Sequence, residues 1–228
     1  MIFIAYDVAI VMVWYMSMIG LPRQGFPGPL VSIVMPVYGV EKYLDEAVSD
    51  ALAQTYRRIE VVLVDDGSSD SCPGKCDGWA AKDDRVRVIH QPNGGLSHAR
   101  NTGMAAARGD YLYFMDPDDR IAPGLVQVCL DAARRYDADL VMFRFDTIAE
   151  DGSPLKSPYR HNEYNETVEL PADQAIRLQV KGAIDSYFWA FLALRSTHLR
   201  QGFASPDGPQ ISDLALSANP ICTSTRAD

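Results

Sequence analysis

A chain of 228 residues, 47% of them hydrophobic, is long enough for one sizeable α/β domain with a real core. Its 21 Lys and Arg against 30 Asp and Glu leave a net charge of -9, which argues against a polyanion such as DNA or RNA as partner. The four cysteines, Cys72, Cys76, Cys129 and Cys222, are too few and too scattered for a disulfide scaffold and have no second Cys or His pair for a zinc site, which fits a reducing compartment.

The first twenty residues stand apart, because only Asp7, Ser17 and Gly20 interrupt an apolar run of the length that spans a bilayer. No basic residue precedes the run and no small-residue cleavage site ends it, so it does not read as a secretory signal. Asp7 counts against a span, and Arg23 just after the run favours keeping the following domain in the cytoplasm. Two readings stay open: a membrane anchor, or an extended N-terminus that is not inserted. Residues 1–30, ending in a Pro/Gly-rich linker, are therefore set apart from the domain that follows.

From Val31 the chain alternates between two periods. Val31 to Met35 is a β-branched apolar run suited to a strand buried on both faces. Tyr43, Leu44, Ala47, Val48, Ala51 and Leu52 then recur with the spacing of one helix face. Ile59 to Val64 predicts a second strand, which runs directly into Asp65-Asp66-Gly67-Ser68-Ser69-Asp70. A helix carrying Trp79, Ala80 and Ala81 and a third strand, Val86 to Ile89, follow. Asn93-Gly94-Gly95 is turn chemistry, and Leu96 to Arg108 predicts a helix with Gly109 at its C-cap. A fourth strand, Tyr111 to Met115, ends in Asp116-Pro117-Asp118-Asp119, and a helix over about 123–136 and a strand from Leu140 to Phe145 complete the alternation. Farther on, Asp151-Gly152 suggests a turn, Ala172 to Val180 a short helix, and Tyr187 to Leu194 a mostly apolar segment.

Strands alternating with helices predict a mostly parallel sheet covered on both faces, with ligands beyond the carboxyl ends of its strands. Both acidic clusters follow strands directly, so both are expected on that rim. Converging carboxylates raise one another's pKa unless a cation sits among them. The Asp116-x-Asp118 spacing suits a hard divalent ion with oxygen ligands, with substrate phosphates filling the remaining positions. Taken alone, a solvated turn accounts for it better, because Asp and Pro are common turn residues.

The pattern does not stand alone. Val31-Ser32-Ile33-Val34-Met35-Pro36-Val37-Tyr38, then Val61 to Asp70, then Asn93-Gly94-Gly95-Leu96-Ser97-His98-Ala99-Arg100-Asn101, then Asp116-Pro117-Asp118-Asp119 resemble the family 2 glycosyltransferases in type, spacing and order. The resemblance is close over about residues 31–125 and loose beyond.

It implies an α/β fold of the GT-A kind, in which residues 31–146 bind the nucleotide sugar and residues 147–228 form the acceptor-side half. Pro36 and Tyr38 match positions lining the nucleotide pocket, the tyrosine placed to stack on uracil. Asp66 matches the aspartate that hydrogen-bonds the base, with Asp65 beside it, and Arg100 matches a basic position near the base and diphosphate. Asp116 and Asp118 match the DxD motif, the first near the ribose and both towards a divalent metal, Mn²⁺ or Mg²⁺; Pro117 stands where serine is more usual. The implied reaction is inverting transfer from a nucleotide-diphosphate sugar, UDP-linked, to a polysaccharide or lipid-linked acceptor at the inner face of the cell membrane.

The family's acceptor-side acidic pair is matched only in part. Asp213 stands at the second acid, the implied catalytic base, while Ser212 replaces the first; a helix N-terminal role for Asp213 is the plainer alternative. The chain ends at Asp228, where family members usually continue, so the acceptor side is expected to be truncated. His98 is read as a helix-surface residue, Trp79 and Trp189 as core residues, and His90, His161 and His198 as structural, with no visible partner. A degenerate binder of nucleotide sugars remains an alternative. A sugar-phosphate nucleotidyltransferase would show a Gly-rich basic signature after its first strand, which Pro36-Val37-Tyr38-Gly39-Val40-Glu41 lacks, and a receiver-like domain would leave the second half unexplained.

Overall fold

The computed structural model describes residues 2–12, 28–149, 153–155, 174, 177 and 187–196. In chain order these form β1 (Ile2–Met12), β2 (Val31–Val37), α1 (Leu44–Leu52), β3 (Ile59–Asp65), α2 (Cys72–Lys82), β4 (Val86–His90), α3 (Leu96–Ala106), β5 (Tyr111–Phe114), β6 (Arg120–Ile121), α4 (Leu125–Arg135), β7 (Leu140–Ile148), a 3-10 turn (Phe188–Ala190) and β8 (Phe191–Leu194). The strands make one eight-stranded sheet in the order β4-β3-β2-β5-β8-β7-β1-β6.

The parallel part is β4-β3-β2-β5, and within it β2, β3 and β5 read as mostly apolar runs. Every residue of β2 and β3 is buried, and the two-residue period of a strand sorts them onto opposite faces. Val31, Ile33, Met35 and Val37 with Val61 and Leu63 face one cluster, closed by Leu44, Ala47, Val48 and Ala51 of α1 and by Cys129, Leu130 and Ala133 of α4. Val34, Val62 and Val64 face the other, closed by Ala99 of α3 and joined by Leu112, Phe114 and Met142. Leu44 is fully buried, and burial of such a side chain contributes about 1.5–3 kcal/mol.

The antiparallel part is where structure and expectation differ most. β8 lies between β5 and β7, antiparallel to both, so a segment from late in the chain fills the middle of the sheet. β1 pairs antiparallel with β7 over Ile2↔Ile148 to Met12↔Leu140 and parallel with the two-residue β6. The sequence reading set residues 1–30 apart as an extension; the structure runs Ile2–Met12 through the sheet. An apolar run with Ile, Val, Phe and Tyr suits a strand as well as a helix, and periodicity cannot separate the two. Among the described residues no helix is long and apolar enough to cross a membrane.

One boundary needs correction. Helix α3 ends at Ala106 and its C-cap is Ala107 in an extended conformation, so Gly109 is not the cap. Gly109 passes β2 so closely that a Cβ would sit 2.6 Å from Ser32 N and 2.9 Å from Leu30 O. Close approach, not helix termination, requires glycine there. The expected turn at 151–152 lies outside the described residues. So does most of the helix expected over 172–180, of which Gln174 and Arg177 are helical.

Candidate nucleotide-sugar site

The carboxyl ends of β2, β3 and β5 bring the expected residues to one rim. Pro36 is buried within β2, beside Val64 of β3 in register, and Tyr38 follows the strand with 58% of its surface exposed. An exposed ring at the end of a buried strand is free to stack on a flat ligand. Asp65 is the last residue of β3, and the Asp66 amide donates to Val37 O at 2.9 Å, which locks the two strand ends together.

Asp66 is buried and its carboxylate organises the loop opposite. Oδ1 accepts from Gly94 N at 2.9 Å and from Gln91 Nε2 at 2.7 Å, and Oδ2 accepts from Gly95 N at 2.8 Å. Gly95, at φ 89°, begins α3 in a conformation that a residue with a Cβ rarely adopts. Gly67, at φ 72°, lies so close to the same loop that a Cβ would meet Asn93 N at 2.8 Å. The turn after β3 and the loop after β4 thus form one interlocked unit.

Asp65 points the other way. Its Oδ1 accepts from Ser68 N at 3.1 Å and its Oδ2 lies 2.8 Å from His90 Nδ1. Burial alone would raise the Asp65 carboxyl, but the hydrogen bonds from His90 and Ser68 outweigh it and hold it below the ordinary value. His90, expected to have no partner, has two, since its Nε2 lies 3.1 Å from Asp77 Oδ1. Those carboxylates raise the His90 pKa, Asp65 first and Asp77 second.

Arg100, on the second turn of α3, is 2% exposed, and its Nη2 reaches Asp116 Oδ1 at 2.9 Å and Oδ2 at 3.2 Å. The buried guanidinium therefore fixes Asp116 just beyond β5, where Asp119 N closes the turn onto Asp116 O at 3.0 Å. Asp118 sits on the exposed tip of that turn. Protein crowding on its inner side raises its carboxyl first, and the neighbouring Asp116 charge raises it further. A carboxylate that is destabilised by another and bears only oxygen donors is suited to a hard divalent cation. Among the described residues no three His, Cys, Asp or Glu gather closely enough to hold a metal unaided, so a cation here would draw its other ligands from phosphates and water.

The model of the family described as glycosyl transferase family 2 matches residues 32–202. The chain belongs to the family 2 glycosyltransferases. A relative, the uncharacterized glycosyltransferase EpsJ of Bacillus subtilis, is 45% identical over 113 residues, which is 50% of this chain and 33% of EpsJ. The chain thus spans about a third of that relative's length. Among solved structures, TarS of S. aureus in complex with UDP-GlcNAc superposes with a TM-score of 0.61 at 18% identity, over 82% of this chain and 52% of that one. The mannosyltransferase PcManGT of Pyrobaculum calidifontis, solved with GDP-Man and Mn²⁺, gives 0.57 at 18%, over 81% and 50%. These two share the fold.

Within this family 2 chain, Pro36, Tyr38, Asp65, Asp66, Arg100, Asp116 and Asp118 all lie on the predicted rim, and Asp213 lies outside the described residues. Gln91 was not singled out in the sequence and His90 was read as structural, although His90 ends the parallel strand β4 and Gln91 follows it, so the rule that flagged the aspartates applies to them too. His98 is exposed on α3, as expected, with Nδ1 at 2.7 Å from Gln91 Nε2. Trp189 is buried, its ring 4.4 Å from that of Phe145. Trp79, expected in the core, is half-buried against it and donates from Nε1 to Asp45 Oδ1 at 2.8 Å.

Proposed function

We propose that this chain transfers a sugar, with inversion, from a UDP-sugar to a growing polysaccharide or lipid-linked acceptor at the cytoplasmic face of the cell membrane. The observation that carries this reading is the convergence of Tyr38, Asp66, the Arg100–Asp116 pair and Asp118 beyond the carboxyl ends of three parallel strands. TarS with UDP-GlcNAc and PcManGT with GDP-Man and Mn²⁺ support a nucleotide-sugar donor on this fold.

In this reading Tyr38 stacks on the base and the loop held by Asp66 walls the base pocket. Arg100 keeps Asp116 against the ribose edge and lends positive potential where the diphosphate lies. Asp118 would hold Mn²⁺ or Mg²⁺, and the bound cation would supply charge stabilisation to the departing diphosphate. Asp213 takes the proton from the acceptor hydroxyl, so that the alkoxide oxygen attacks the anomeric carbon as its bond to the diphosphate breaks.

Transfer assays with a panel of UDP-sugars and glycan acceptors test the reaction, with UDP release and glycan extension measured together. Asp213→Asn is expected to lower turnover about 10²- to 10⁴-fold with donor affinity nearly unchanged, because a general base acts in the transition state. Wild-type turnover in that variant would place the base elsewhere, and UDP release without glycan extension would mark the chain as a hydrolytic or degenerate binder.

A further inference from the structure

Both ring nitrogens of His90 face carboxylates: Nδ1 is 2.8 Å from Asp65 Oδ2 at the end of β3, and Nε2 is 3.1 Å from Asp77 Oδ1 on α2. An ionised carboxylate only accepts hydrogen bonds, and a neutral imidazole has one N–H. A neutral ring would therefore serve one partner and point a lone pair at the other. The imidazolium serves both. His90 is 44% exposed, so its proton exchanges readily with water. The charged groups facing it are Asp65 from β3 and Asp77 from α2; Cys76, beside Asp65, is a neutral thiol because burial, and next the Asp65 charge, push it up to about 12.

The position matters because of what Asp65 carries. Its carboxylate also receives Ser68 N, its carbonyl receives Gln91 N at 2.9 Å, and the next residue is Asp66, which holds the Gly94–Gly95 loop. We propose that His90 is a positioning residue: as an imidazolium it ties the end of β3 to α2 and holds the Asp65–Ser68 turn in the shape that receives the nucleotide, so that nucleotide binding weakens as His90 loses its proton. The coupling to binding rests on the nucleotide-sugar reading of this rim; the tie itself does not. Because the folded-state pKa is raised, the tie is complete below the unfolded histidine value of about 6.5 and is lost as pH rises through the raised value.

Nuclear magnetic resonance of the full chain, titrated from about pH 5 to 9, would follow the His90 ring and the amides of Asp66 and Ser68. Calorimetry with UDP and Mn²⁺ would cover the same range. In the wild type the two amides should move with the His90 ring. The midpoint should fall in Asp77→Asn, whose side chain is 69% exposed, and the movement should vanish in His90→Gln. UDP affinity should fall roughly three- to tenfold across the His90 transition in the wild type and stay level in His90→Gln.

Amides that ignore the ring, or an unchanged midpoint in Asp77→Asn, would overturn the tie. An equal pH slope of UDP affinity in wild type and His90→Gln would overturn its link to binding. No UDP binding at any pH would overturn the nucleotide reading and with it that link, an outcome the ring titration separates from failure of the tie.

Discussion

Asp66 shows how a residue picked for chemistry can act first through structure. The resemblance gives it to the base of the nucleotide, and in the structure its oxygens already take three donors from the loop after β4. The two roles are compatible, because a carboxylate offers about four acceptor positions. Asp66→Asn keeps the size but turns one oxygen into a donor facing N–H groups. It should destabilise the fold by roughly 1–3 kcal/mol in urea unfolding, the cost of leaving a buried donor unpaired, and weaken nucleotide binding with it. Unchanged stability would mean that the loop does not depend on this carboxylate. The sequence names Asp66 but not its partners, because Gln91, Gly94 and Gly95 reach it only once β3 and β4 lie side by side. The same holds for His90, whose second partner Asp77 sits on a different element.

At the scale of elements, α3 is the one that the site depends on, since it presents Arg100 to Asp116 and starts at the loop Asp66 holds. It lies against the sheet through Gly103, where a Cβ would come within 2.3 Å of Val34 Cγ1 and 3.1 Å of Val64 Cγ2. Gly103→Ala gains helix propensity of up to about 1 kcal/mol and meets an overpacking cost of roughly 1–3 kcal/mol, so a net loss of stability is expected. Adding Val34→Ala should give a double variant that loses less than the sum of the single losses, as residues in contact do. Strict additivity would show that α3 shifts to make room. The parallel strands and their helices were legible because buried strands read as unbroken apolar runs and helices as 3.6-residue repeats. β8 was not: four apolar residues with no alternation carry no sign of the strands they will separate, and their partners in β5 begin 80 residues earlier, at Tyr111. Gly109 was misread because a helix cap and a close backbone crossing call for the same residue.

For the molecule as a whole, the two faces of the sheet and its carboxyl rim divide the work. Beneath α1 and α4 and beneath α3 lie the two larger clusters of buried side chains among the described residues, while on the rim the Asp65 carboxylate meets the His90 ring and Asp116 pairs with the Arg100 guanidinium. Asp118 differs, its carboxyl raised by crowding and by Asp116. That asymmetry supports the cation proposed there. The most direct test is calorimetric titration of UDP into the wild type and Asp118→Asn, each with and without Mn²⁺. UDP is expected to bind the wild type more tightly with Mn²⁺, and Asp118→Asn to lose the Mn²⁺-dependent part, because an amide is a much weaker ligand than a carboxylate for a hard cation. Mn²⁺-dependent UDP affinity that is the same in both proteins, or no UDP binding to the wild type at all, would contradict it.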